Sequence, residues 1–236
     1  MFLYFVGRYR PGVTSPEVPL RLAHELPRGR HNLPREVVLR SQRERMIDAV
    51  IERVAAKGYS ATTVADVIGQ AAVSRKTFYE HFSDKEECFI AAYDEITRQL
   101  MGSVVEAYEG RPDWSERVAA ALGILLDRLA SRPALARFCI IEILAAGPRA
   151  LERRDAVLQR FTEMIAPGRH EAPSGLTIPE LTAQAVVGAL YSLIYDEIFH
   201  GRVRELPRMT SDLVYIALAP YVGPRAAVRA AQASSG

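Results

Sequence analysis

Long apolar runs, cysteines and strand-like alternation are all scarce in this chain, and each scarcity argues against a class of protein. The apolar opening MFLYFV is six residues long, too short for a secretory core and far too short to cross a bilayer. No later run reaches membrane length without a charge, so a cytoplasmic protein with no membrane partner is expected. The two cysteines, Cys88 and Cys139, lie far apart in apolar helical patterns and read as small buried hydrophobes in a reducing compartment. Zinc spacing, a phosphate loop and a G-x-S-x-G turn are all missing. An all-α enzyme built on carboxylate-bridged metals needs two E-x-x-H motifs and two further glutamates, whereas this sequence offers one, Glu197 to His200. The expectation is therefore no catalytic residue, no metal and no cofactor.

What the chain does have is helix signals. Residues 1–40 hold five prolines and seven arginines without sustained periodicity, which reads as an arm that is either solvated or in contact with a nucleic-acid backbone. From Ser41 the apolar spacing turns helical. Ser41 with Glu44 reads as a capping box, and Met46, Ile47, Val50, Ile51 and Val54 follow until Gly58,. Thr63 with Asp66 opens a second helix, Ser74 a third, and Ser83 with Glu86 a long fourth that runs to about Gly110. Further helices are expected over 113–130, from Pro133, from Pro148, over 181–199 and over 209–221, with APGRHEAPSG as a surface loop. The sum is an all-α chain of about nine helices.

Charge is unevenly spread. Through Phe82 there are thirteen Lys and Arg against eight acids, and beyond it seventeen against twenty, so the front of the chain is the part suited to a polyanion. The stretch SRKTFYEHFSDKEE has two phenylalanines four apart, Phe78 and Phe82, which can form one buried stripe. The remaining faces carry Arg75, Lys76, Thr77, Tyr79, Glu80 and His81. Two short helices separated by a tight turn match a helix-turn-helix, whose second helix enters the DNA major groove. Arg and Lys there can donate to guanine edges and Thr77 can meet an edge or a thymine methyl, while Tyr79 and His81 can donate to phosphate. Thr63, Ser74 and Lys85 stand at three helix starts, where the dipole favours phosphate. Lys76 and Glu80 are also placed for a local ion pair.

The segment TTVADVIGQAAVSRKTFYEHFSDKEECF resembles the DNA-binding part of the TetR family of transcriptional regulators, over about residues 41–95. That resemblance implies a three-helix DNA-binding unit (41–87) and a larger helical ligand-binding and dimerisation domain (88–222); residues 223–236, beyond the last expected helix, read as a flexible tail. It implies base contacts from Arg75, Lys76, Thr77 and Glu80, and phosphate contacts from Thr63, Ser74, Tyr79, His81 and Lys85. The partners implied are a palindromic double-stranded operator, a second copy of the chain and a small-molecule effector that releases a repressor. Two positions depart from the family pattern: Ala72 where the turn usually has glycine, and Ala65 where an arginine is common.

Beyond residue 95 the reading rests on periodicity. Large or polar residues on core-facing stripes, namely Tyr93, Tyr108, Trp114, Phe138, Glu142, Phe161 and Tyr191, are candidate pocket residues. Glu142, an acid among apolar neighbours, is expected to pair with Arg137 or Arg149, or to meet a cationic ligand. The resemblance implies that the helix over 181–199 pairs with the last helix and with both copies in a second subunit, which makes Val187, Tyr191, Ile194, Leu213 and Ile216 the candidate dimer contacts. The rival readings are a DNA-binding adaptor without an effector and an all-α metal-dependent enzyme.

Overall fold

The computed structural model describes residues 34–175 and 177–234, so the expectation for most of the N-terminal arm lies outside the described residues. Within them are ten α-helices: α1 (Arg35–Lys57), α2 (Val64–Ala71), α3 (Arg75–His81), α4 (Lys85–Glu109), α5 (Trp114–Ser131), α6 (Pro133–Ile140), α7 (Pro148–Ile165), α8 (Thr182–Phe199), α9 (Thr210–Val222) and α10 (Pro224–Ala233). Three 3-10 segments join them, and no strand occurs among the described residues.

The local signals fix several boundaries. Thr63 and Asp66 close a reciprocal capping box on α2, Ser74 Oγ accepts from Thr77 N on α3, and Asp113 caps α5 through Ser115 and Glu116; each satisfies amide donors that a helix start leaves orphaned. Two caps differ from expectation. Helix α1 begins at Arg35, directly after Pro34, and Ser41 is a buried mid-helix residue rather than a cap, because nothing between Pro34 and Ser41 interrupts a helix. At α4 the cap is Asp84, accepting from Glu87 N. Ser83 N and Oγ reach the Glu87 carboxylate at 2.7 and 2.6 Å, so Glu86 is left for other work.

The helices enclose two cores. One gathers Met46, Val50, Val67, Phe78, Phe82, Cys88, Phe89 and Phe138 from α1–α4 and α6, and the other gathers residues of α5, α8 and α9 around Val104 of α4. Phe78 and Phe82 are 0% and 2% exposed, each worth about 1.5–3 kcal/mol of apolar burial. Helix α4 runs through both cores, with Cys88 and Phe89 in the first and Val104 in the second. Helix α4 is thus packed against both the helix-turn-helix and the larger helical body.

Three further expectations are corrected. The segment after α6 is not a continuous helix: α6 stops at Ile140 and Glu142–Ala145 form a 3-10 turn. The loop APGRHEAPSG begins as a 3-10 turn in which Gly168 is buried under Trp114 and Tyr221; a Cβ there would lie 2.3 Å from Trp114 Cη2. Residues 224–233 are not a tail but helix α10, whose Ala227 and Ala231 are buried. Their small side chains at i and i+4 form one face that lies close on α9,.

Candidate nucleic-acid interface and effector cavity

Helices α2 and α3 are separated by Ala72, Val73 and Ser74. The turn requires Ala72 to adopt φ 50°, ψ 49°, the left-handed region that costs a non-glycine residue about 1 kcal/mol. With Phe78 and Phe82 buried, α3 presents Arg75, Lys76, Tyr79 and Glu80 to solvent, and Thr77 and His81 are half-buried. Lys76 and Glu80 lie 3.8 Å apart, a loose pair on an exposed face. The Arg75 guanidinium sits over the Tyr79 ring at 5.8 Å, and Ser74 Oγ and Thr77 Oγ1 share a hydrogen bond of 2.8 Å. Thr63 is exposed but its hydroxyl donates to Asp66. Burial and then the neighbouring Arg43 lower the His81 pKa, with Glu80 opposing, which favours the neutral imidazole. Ala65 is exposed at the start of α2 and offers no side-chain donor.

Lys85 is a correction. Its ammonium turns inward, donating to Tyr59 O at 2.9 Å and Thr62 O at 2.8 Å and lying 3.8 Å from the Tyr59 ring centre. The carbonyls of the turn after α1 have no helical partner, and Lys85 supplies one. It fixes that turn to α4 rather than offering a free cation to DNA.

The same turn is tied to the rest of the chain. Tyr59 N donates to Glu142 Oε2 at 2.8 Å, and Arg137 pairs with Glu142 at 3.2 Å. Glu142 is thus a buried structural carboxylate, and of the partners considered for it Arg137 is the one it takes. Phe138 stacks on Phe89 at 4.2 Å, and Phe89 meets the Tyr59 ring edge-on at 5.0 Å. At the start of α7, Arg149 reaches Asp84 at 2.6 Å and Glu86 at 2.9 Å, and the Glu86 carboxylate occupies the space beside Gly147 that a Cβ would need.

Between α4, α5, α7 and α8 lies an apolar cavity of about 100 Å³. Four of the seven candidate pocket residues line it: Tyr93, Tyr108, Phe161 and Tyr191. Trp114, Phe138 and Glu142 do not. Trp114 packs edge-on against Tyr221 and donates to Met164 O, and the other two belong to the ties just described. Sequence reasoning missed Thr97 and Arg154, both in the lining. Arg154 is the one charged residue there, held by Asp155 at 2.6 Å, and no acid lines the cavity. Cys139 is also in its wall; burial pushes the thiols of Cys88 and Cys139 up to about 12, which leaves both unreactive.

Three of the five candidate dimer residues are also corrected. Val187, Ile194 and Leu213 are buried inside the chain's own core, Tyr191 donates to Ile140 O at 3.2 Å, and Ile216 is half-buried. The large apolar residues left exposed along α8 and α9 are Leu181 at the cap of α8, Leu193 and Phe199 on α8 and Tyr215 on α9, alongside exposed Ala185, Gly188 and Ala189. Glu197 and His200 are engaged by Arg202 and Asp196 respectively. Among the described residues no cluster of three or more His, Cys, Asp or Glu could hold a metal, and no helix is long and apolar enough to cross a membrane.

Residues 47–92 match the model for bacterial regulatory proteins of the tetR family. Over 77 residues the chain is 30% identical to the uncharacterized HTH-type transcriptional regulator YerO of Bacillus subtilis, covering 31% of this chain and 27% of that one. Over 177 residues it is 22% identical to the fatty acid metabolism regulator protein of the same organism, covering 72% of this chain and 90% of that one. The fold is similar to that of FadR from Bacillus subtilis in complex with stearoyl-CoA, with a TM-score of 0.65, 20% identity and coverage of 75% of this chain and 97% of the other. With two capped short helices, an exposed cationic second helix and a long fourth helix in place, these matches identify residues 47–92 as the DNA-binding segment of a TetR family regulator.

Proposed function

We propose that this chain is a repressor that binds a palindromic operator as a homodimer and is released when an effector with a long apolar chain enters the cavity. In this reading Arg75, Lys76, Thr77 and Glu80 meet base edges. Thr63, Ser74, Tyr79 and His81 hold phosphates, with Lys85 bracing the turn behind them. The DNA-binding unit is residues 34–87 and the remainder to residue 234 is the sensor and dimer body. The outward apolar face of α8 and α9 suits a two-fold contact, because its small residues admit close helix approach and its four large apolar side chains are otherwise left in water.

The observation that carries the effector class is the cavity lining: apolar on every side, with Arg154 as its one charge. An unpaired acid would have favoured a cation, whereas an arginine favours a carboxylate or the carbonyl of an acyl group. The solved FadR complex with stearoyl-CoA supports a long acyl chain as the apolar part. Size supplies the release mechanism. A cavity of about 150 Å³ holds a benzene ring, so a long acyl chain does not fit a space of about 100 Å³ without driving α4, α7 and α8 apart. Because α4 carries the helix-turn-helix at its start, the conformer that accepts the ligand differs from the one that spans two major grooves about 34–36 Å apart.

The test is a mobility-shift titration on DNA selected from genomic fragments, with palmitate, palmitoyl-CoA and a cationic amphiphile as additives. Release by the acyl compounds and not by the cation supports the reading. Unchanged DNA binding with all three, together with no rise in melting temperature, overturns it.

A further inference from the structure

A second cleft, of about 150 Å³, opens between α4, α5 and α6. Its chemistry differs from that of the main cavity. Arg128 and Arg132 line it together with Gln99 and Ser103, and it shares Leu100, Leu129 and Cys139 with the apolar cavity as common wall. No carboxylate lines either space. Among the described residues no ion pair within 4.0 Å is formed by Arg128 or Arg132, whereas Arg154 in the main cavity is held by Asp155. Two guanidinium groups on one cleft repel each other unless an anion lies between them.

The backbone adds to the positive field. Arg132 is both the last residue of the α5 turn and the N-cap of α6, and Pro133 at the first position of α6 fixes its geometry. No side chain caps the start of α6, and Leu135 and Ala136 of its first turn line the cleft beside Arg132, so the positive end of the helix dipole lies at this cleft. The planar guanidinium fork matches the oxygens of a phosphate two at a time.

We infer that this cleft is an anion subsite for the phosphate-bearing head of an amphipathic effector whose apolar chain occupies the adjoining cavity. The inference rests on the reading of that cavity as the effector site. Arg154 then meets the carbonyl end of the chain, and Arg128 and Arg132 meet the phosphates outside it. A ligand with the chain alone satisfies one site, and a ligand with both parts satisfies two.

The experiment measures binding of palmitate and palmitoyl-CoA by calorimetry to the full chain and to the double variant Arg128→Gln/Arg132→Gln, with Arg128→Lys/Arg132→Lys as a charge-preserving control. Both arginines are exposed, and melting temperature and DNA affinity in the absence of ligand report that the fold is kept. Wild type is expected to bind palmitoyl-CoA at least tenfold more tightly than palmitate. The glutamine variant is expected to lose that preference and leave palmitate affinity within threefold, and the lysine variant is expected to retain part of the preference. Equal affinity of wild type for both ligands, or equal loss of both in the glutamine variant, overturns the phosphate subsite while leaving the effector cavity standing. Binding of neither ligand to wild type overturns both.

Discussion

Replacing Glu142 by alanine tests how the helix-turn-helix is fastened to the rest of the chain. Glu142 is 8% exposed, accepts the Tyr59 amide at 2.8 Å and pairs with Arg137 at 3.2 Å. Its carboxylate also fills the space against Gly58, where a Cβ would sit 3.3 Å away and where φ is +81°. A charge-assisted hydrogen bond of this kind is worth about 1.5–3 kcal/mol, and removing one member of a buried pair costs about 3–5 kcal/mol. Arg137 keeps 29% of its side chain in solvent, so the lower part of that range applies, about 3 kcal/mol in all. For a chain of this size that lowers the melting temperature by roughly 6–12 °C. Glutamine at the same position keeps an acceptor for Tyr59 N and is expected to cost only about 1 kcal/mol. Because Glu142 does not line the cavity, Glu142→Gln is expected to leave effector affinity unchanged. Thermal melts and ligand titrations of both variants decide the matter. A Glu142→Ala melt within a degree of wild type, or a tenfold loss of effector affinity in Glu142→Gln, would refute the assignment of this residue to the frame.

Other positions give independent checks. Ala72→Gly relieves a left-handed alanine and is expected to raise stability by about 0.5–1 kcal/mol, seen as a higher urea midpoint with an unchanged slope. Gly168→Ala places a methyl carbon against the buried Trp114 ring and is expected to cost about 1–3 kcal/mol or more, with a shift in tryptophan emission, since the chain has one tryptophan. Asp48 has its pKa raised to about 6 by burial first and then by Glu52 and Glu44, so folding favours its protonated form and stability falls as pH rises from about 4 to about 6. Asp48→Asn is therefore expected to match wild type near pH 4 and to be more stable above pH 6. A two-unit shift sets a ceiling of about 3 kcal/mol, and solvent screening of a half-exposed side chain reduces this to roughly 1–1.5 kcal/mol; equal stability across the range would contradict it.

The short-range features were legible in the sequence because their causes are local. Thr63 and Asp66 form their box within one turn, and the four-residue spacing of Phe78 and Phe82 leaves one face of α3 to bury. Features set by a distant neighbour were not. Helix α8 is apolar nearly all round, and periodicity alone does not say that Val187 and Ile194 face the cavity while Leu193 and Phe199 face out. Arg154 sits in the polar run ERRDAVLQR, which reads as a solvated face; only the packing of α7 on α8 turns it into the lining. Trp114, Phe138 and Glu142 were recognisable as buried, but whether a buried large residue lines a space or fills one depends on the partner helix. Helix α10 was missed because an alanine-rich segment after Gly223 and Pro224 has too few large apolar residues to mark a buried face.

The central claim is that occupancy of the cavity and grip on DNA are two readings of one equilibrium. The most direct measurement is the dissociation constant of a long-chain acyl effector for the free protein and for the protein bound to its operator. Thermodynamic linkage requires the effector to bind the DNA complex more weakly by the same factor by which it weakens DNA binding. A matching pair of factors is the predicted result. Equal effector affinity in the presence and absence of operator would contradict the account.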